Sequence, residues 1–222
     1  MEYKAAIFDL DGTLIDSLAD LADSANAMLK SYGFPTHPLD PYRYFVGNGS
    51  RKLMERCLPK EKAADPHFVD EALERYKDIY AKHTQDKTRP YKGIQEMLDK
   101  LTAMDIPMGI CTNKHQSAAE AIVQAMFPAG TFRTVMGDRA GLPRKPDPQK
   151  VLMMAAEYGV KPAEVAYFGD TSVDMDTANN GGFLPIGVLW GFRPKEELIE
   201  HGAKVLLENP AELFEKVKFT RG

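Results

Sequence analysis

"AAIFDLDGTLIDS", residues 5–17, decides how the rest of the chain is read. Ala5, Ala6, Ile7 and Phe8 form the short apolar run that a strand buried on both faces requires. The chain then sets Asp9 and Asp11 two residues apart and passes to Gly12. Residues two apart on extended backbone face the same way, so Asp9 projects beyond the strand end and Asp11, already in the turn, lies beside it. Gly12 permits a turn that a side chain would resist. Alone, the two aspartates read as a turn and cap; their weight comes from what the chain places at its other strand ends.

After about residue 93, apolar runs alternate with helical patterns. "IPMGICTN" (106–113), "RTVMG" (133–137), "EVAYFGD" (164–170) and "FLPIGVLW" (183–190) read as buried strands. Between them Ile94, Met97, Leu98, Leu101 and Met104 recur at helical spacing, as do Val151, Leu152 and Ala155. This alternation predicts βα units and a parallel sheet. From "DSLADLADSANAMLKSYG" through "GSRKLMERCL" to "DEALERYKDIYAKH" the periodicity is helical throughout. The expected fold is therefore α/β. A Rossmann-like parallel core, residues 1–16 and 88–222, carries a small all-helical domain, residues 17–87, inserted after the first strand and closed by "KTRPYKG".

Composition narrows the function. With 222 residues, 44% of them hydrophobic, the chain can bury a sizeable core. Its 28 basic and 32 acidic residues leave a net charge of −4 with no basic block, which argues against a nucleic-acid partner. No apolar run approaches the roughly 20 residues that span a bilayer. "MEYKAAIFD" lacks the basic-then-apolar order of a signal peptide, so the expected setting is the cytoplasm, with no membrane partner. Cys57 and Cys111 have no metal-ligand spacing and read as small buried hydrophobes. A monomer or homodimer is expected.

In an open parallel sheet, ligands bind beyond the carboxyl ends of the strands. Those ends supply Asp9, Asp11 and Thr13, then Thr112 and Asn113, then Asp170 and, one turn on, Asp174, while Lys145 precedes "PDP" at a helix start. Three carboxylates drawn together either trap a proton or recruit a cation, and hard oxygen ligands suit Mg²⁺. Mg²⁺ shares its shell with substrate phosphate, for which Thr112, neighbouring amides and Lys145 supply donors and positive charge. A carboxylate such as Asp9 can attack phosphorus in line, and Asp11 can exchange a proton with the leaving oxygen and with water. Thr112 also fits a helix N-cap, and Asp174 the favourable first turn of a helix.

These residues form a recognisable series. "DLDGTLIDS" resembles the first motif of the haloacid dehalogenase superfamily of phosphohydrolases, "ICTNK" its second, "RKPDP" its third and "GDTSVDMDTA" its fourth, in order across nearly the whole chain. The resemblance implies Asp9 as nucleophile, Asp11 as acid and base, Thr112 and Lys145 on the phosphate, and Asp170 on Mg²⁺. It further implies a metal contact from the Asp11 backbone, and Asp174 in support of the metal or the lysine. Asp11 separates the chain from the namesake dehalogenases, which have no acid there.

The helical insertion resembles the superfamily's small cap domain, and "FVGNGSRKLMERCL" (45–58) is similar to a cap segment of phosphoglycolate phosphatases. That similarity implies a substrate contact from Gly47, Asn48 and Gly49, with Arg51 facing a substrate carboxylate; Arg56, one turn on, offers a second cation. The expectation is an Mg²⁺-dependent phosphatase of a small phosphorylated metabolite, 2-phosphoglycolate first. A pyrophosphatase, a sugar phosphomutase or a non-catalytic phosphate-binding relative are the alternatives. Trp190, just past a strand end, reads as cover for the core edge.

Overall fold

The computed structural model describes residues 2–221. Six parallel strands make the main sheet: β1 (Ala5–Phe8), β2 (Met108–His115), β3 (Thr134–Asp138), β4 (Val165–Gly169), β5 (Leu184–Val188) and β6 (Val205–Leu207). Their spatial order is β3-β2-β1-β4-β5-β6. The order reverses between β1 and β4, which pair from Ala5 with Val165 to Phe8 with Phe168. That reversal is the topological switch point, where a doubly wound sheet leaves a crevice for ligands.

Strand β1 is buried along its whole length because both its faces are covered. Ala6 and Phe8 enter one core with Ile110, Phe168 and Ile186, whereas Ala5 and Ile7 enter another with Cys111, Val165 and Tyr167. The alternation follows from the two-residue period of a strand. Phe8 stacks on Phe168 at 4.5 Å between centroids, fixing β1 against β4 where the site begins. The helix Ile94–Ala103 buries Ile94, Met97, Leu98 and Leu101 against the first core. The helix Gln149–Tyr158 places Val151, Met154 and Ala155 in the second. Met104 and Leu152, counted with these stripes from the sequence, lie at 37% exposure, because Met104 stands past its helix end and Leu152 on the outer face. Cys57 and Cys111 are both buried and free.

Two features exceed the sequence expectation. Strand β2 continues to His115, with a register shift between Cys111 and His115. Such a shift re-aims side chains, here those of Thr112, Asn113 and Lys114. Strand β6 and the two-residue pairing of Glu2–Tyr3 with Lys218–Phe219 are too short to leave a periodic signal.

Residue contacts divide the chain into two units, one of Met1–Ile15 with Pro90–Gly222 and one of Asp16–Arg89. The second unit is helical. Its longest helices, Leu18–Ser31 and Pro66–Tyr80, bury Leu21, Ala25, Met28 and Leu29 and, in turn, Val69, Ala72, Tyr76 and Tyr80, at three- and four-residue spacing. Asp65 caps the later helix by accepting from His67 N at 3.0 Å, with Pro66 at its first position. Asp20, 2% exposed, accepts from Thr88 N at 2.8 Å, from Thr88 Oγ1 at 2.6 Å and from Lys87 N at 3.0 Å. The short strands Ile15–Asp16 and Arg89–Pro90 lie side by side where the chain passes between units.

Candidate active site

Asp9 directly follows β1 and Asp170 directly follows β4, so the switch point brings them together although the sequence separates them widely. Asp9 N donates to Phe168 O at 2.9 Å, which holds the aspartate in the sheet at its last rung. The chain then doubles back: Leu10 O accepts from Leu14 N at 3.0 Å and Ile15 N at 3.1 Å, and Gly12 N donates to Ile15 O at 2.9 Å. Gly12 has φ +84°, and a Cβ there would run into the Asp170 carboxylate. The turn therefore requires glycine both for its backbone and for the space it leaves Asp170.

Asp9, Asp170 and Asp174 are buried, and one carboxylate oxygen from each lies within 4.8 Å of the others. Asp170 Oδ1 accepts from Thr13 Oγ1 at 3.1 Å, and Oδ2 from Phe192 N at 2.8 Å. Asp174 is more heavily used. Its Oδ1 accepts from Lys145 Nζ at 2.7 Å and Tyr167 OH at 3.4 Å, its Oδ2 from Thr171 Oγ1 at 2.7 Å and Thr171 N at 3.1 Å. Lys145 Nζ also stands 2.9 Å from Asp9 Oδ1.

One ammonium thus meets two of the three buried carboxylates, Asp9 and Asp174, and the imbalance is written in their proton affinities. Burial, with Asp174 adding to it and Lys145 only partly offsetting it, pushes the Asp9 carboxyl up to about 6. Burial and the charges of Asp174 and Asp9 drive Asp170 well above the carboxylate range. Burial alone would depress Lys145; the charges of Asp174 and Asp9 outweigh it and raise the ammonium instead. A cluster of this kind favours any further positive charge, and all its donors are hard oxygens, which fits Mg²⁺.

The β2 register shift supplies the opposite wall. Thr112 Oγ1 accepts from Lys114 N at 3.1 Å. Asn113, expected on the substrate, grips the Lys145 backbone from both sides, Oδ1 accepting from its N at 2.9 Å and Nδ2 donating to its O at 3.2 Å. Three residues escaped the sequence reading: Lys114, Lys150 and Phe192. Lys114 Nζ donates to both oxygens of Asp11 at 3.0 Å. Lys150, 1% exposed, donates to Thr112 O at 3.1 Å and Gly137 O at 3.3 Å, tying β2 to β3 at the shift. Thr13 and the Phe192 amide hold Asp170. Lys114 was open to detection, since it lies two residues beyond Thr112 on the same strand, just before a helix.

The remaining expected residues belong to the helical unit. Gly47 and Gly49 have φ +107° and +87°, the latter capping Ser50–Cys57. Arg56 holds that loop, donating to Tyr44 O at 3.1 Å, Phe45 O at 3.0 Å and Asn48 Oδ1 at 2.8 Å. Arg51 is paired within its unit with Asp70 and with Glu55, the latter at 3.4 Å. Trp190 packs against the first core and donates from Nε1 to Thr13 O at 2.9 Å, steadying the turn that carries Asp11 and Gly12.

A doubly wound sheet with a buried acid cluster at its switch point puts a charged centre where this architecture binds its ligands. Residues 6–188 match the sequence profile of the haloacid dehalogenase-like hydrolases. The chain is 33% identical over 97% of its length to a phosphoglycolate phosphatase from Psychrobacter arcticus, covering 93% of that protein. It is 32% identical, again over 97%, to one from Chromobacterium violaceum, covering 96% of it. An N-acetylmuramic acid 6-phosphate phosphatase from Pseudomonas aeruginosa is 29% identical over 97% of the chain and 95% of its own length. Among solved structures, a candidate phosphoglycolate phosphatase from Lactobacillus delbrueckii subsp. bulgaricus superposes with a TM-score of 0.89 at 31% identity, covering 97% of this chain and 98% of that one. The chain belongs to the haloacid dehalogenase-like hydrolases and is a phosphatase of that family.

Proposed function

We propose that the chain hydrolyses 2-phosphoglycolate, or a small carboxylated phosphate monoester close to it, with Asp9 as nucleophile. The observation that carries the chemistry is the excess of buried carboxylate over ammonium around Asp9. The substrate rests on the relatives named phosphoglycolate phosphatase.

In the first step an Asp9 oxygen attacks phosphorus, the ester P–O bond breaks, and the departing oxygen takes a proton from Asp11. Water then attacks the aspartyl phosphate, giving its proton to Asp11, and phosphate leaves with Asp9 restored. Lys145 and Thr112 hold the phosphoryl oxygens; Asn113 holds Lys145. Mg²⁺, held by Asp9, Asp170 and the Asp11 backbone, would neutralise charge between carboxylates and phosphoryl group. Asp174 serves the lysine, since both its oxygens are already engaged by Lys145, Tyr167 and Thr171. Residues 16–89 form the domain that selects the substrate, with the loop from Gly47 to Gly49 contributing to that selection.

Phosphate release, with and without Mg²⁺, from 2-phosphoglycolate, N-acetylmuramic acid 6-phosphate, sugar phosphates, nucleoside monophosphates and pyrophosphate tests the reading. A Mg²⁺-dependent kcat/KM at least tenfold higher for 2-phosphoglycolate supports it. Preference for another substrate replaces the name but keeps the chemistry. Phosphoryl return to a sugar instead of water would make the chain a mutase.

A further inference from the structure

We propose that Lys114 is the carboxylate-binding residue of the active site: an anionic group on the leaving portion of the substrate takes the place of Asp11 at its ammonium. This rests on the reading above that Asp11 exchanges a proton with the leaving oxygen.

Three observations converge on it. Lys114 sits in the re-registered end of β2, two residues after Thr112, with its side chain 6% exposed. Its ammonium meets both Asp11 oxygens at 3.0 Å, so Asp11 is held by a two-point ionic grip. Arg51, the cation that the sequence offers for a substrate carboxylate, already faces Asp70 and Glu55 within its own unit.

Geometry then selects the class of substrate. An acid must come within roughly 2.6–3.2 Å of the oxygen it protonates. In 2-phosphoglycolate the carboxyl carbon is two bonds from that oxygen, so a carboxylate so placed lies beside Asp11, in the neighbourhood that Lys114 Nζ occupies. When Asp11 takes up its proton and turns from the lysine to the leaving oxygen, the buried ammonium gives up this two-point contact, which is unfavourable unless another anion takes it over. A carboxylate next to the ester carbon provides one and lets Asp11 go. A neutral alkyl phosphate provides none. Nor does an ester whose carboxylate lies many bonds away, as in N-acetylmuramic acid 6-phosphate. Lys114 thereby links recognition of the leaving group to release of the proton carrier.

The test compares 2-phosphoglycolate with ethyl phosphate, which replaces the carboxylate by a methyl group, in the wild type, Lys114→Met and Lys114→Arg. The ratio of kcat/KM for the two esters is expected to fall at least tenfold in Lys114→Met, and Lys114→Arg, which keeps a charge, to recover most of it. In Lys114→Met, inhibition by glycolate is expected to weaken at least tenfold while inhibition by inorganic phosphate changes less than threefold, a split that mere disorder of the turn would not produce. Parallel loss on both esters, or unchanged glycolate inhibition, overturns the assignment. A wild-type ratio near one overturns the substrate reading itself before any variant is made; a high wild-type ratio that survives in Lys114→Met overturns only the role of Lys114.

Discussion

Lys145 Nζ stands 2.7 Å from Asp174 Oδ1, with the two side chains 1% and 0% exposed. A buried pair is costly to break from one side, because the survivor keeps its charge without its partner. Asp174→Asn retains the shape and removes the charge. Lys145 then leans wholly on Asp9, and kcat is expected to fall by about 10²-fold or more, in keeping with loss of a positioned electrostatic group. Lys145→Met leaves three buried carboxylates and is expected to cost about 3–5 kcal/mol of stability. Steady-state kinetics and urea unfolding of the two variants check both figures.

The Asp9 carboxyl, pushed up to about 6 by burial, makes stability depend on pH in a stated direction. Its folded value lies above its ordinary 3.8, so the folded state binds the proton more tightly. The contribution is full below about pH 4 and is lost as pH rises through 6. The metal-free protein should therefore lose stability between pH 4 and pH 7, with Asp170 acting in the same direction. Asp9→Asn should flatten that loss by up to about 3 kcal/mol. It should also abolish turnover and leave no acid-stable phosphoenzyme. Calorimetry across this pH range, beside phosphate release, decides it; a profile as steep as the wild type's removes Asp9 as the source.

Chelation supplies a complementary expectation. If a divalent cation offsets the carboxylate excess, Mg²⁺ should raise Tm more at pH 7, where the acids are ionised, than at pH 5, where protons already compensate them. EDTA should abolish activity and excess Mg²⁺ restore it. An equal Mg²⁺ stabilisation at both pH values would place the ion away from these acids.

Gly12→Ala should be severe for so small a change. The added methyl meets Asp170 at a backbone angle of +84°. Asp170 must then leave Thr13 and Phe192 N, and kcat is expected to fall at least 10²-fold with a loss of roughly 1–3 kcal/mol. Gly33→Ala is the control: its φ is +72° and a Cβ there has open space. It carries the backbone cost alone, so activity should hold.

The sheet and the acid cluster were legible because a buried strand that ends in a carboxylate interrupts an apolar run, and that interruption shows in one dimension. The partnerships were not. Lys114 meets Asp11 because β1 and β2 are neighbours, a fact of topology absent from either segment alone. Lys150 lies on a helix whose polar positions normally face water, and only the fold reveals it buried beneath Thr112. Arg51 looked available for a substrate because Asp70, on a different helix, comes alongside only when the helices pack. Residue type at a strand end foretells chemistry; which charge meets which depends on the packing.

Asp16–Arg89 departs and returns through two adjoining strands, Ile15–Asp16 and Arg89–Pro90, and Asp20 clasps Thr88 near its exit. A segment whose two ends lie together behaves as a cassette. Recombination at those paired junctions can exchange it whole, leaving the chain on either side in register. A lineage can thus remodel that segment at one tempo while the reaction centre, spread over the strands on both sides of the junction, changes at another.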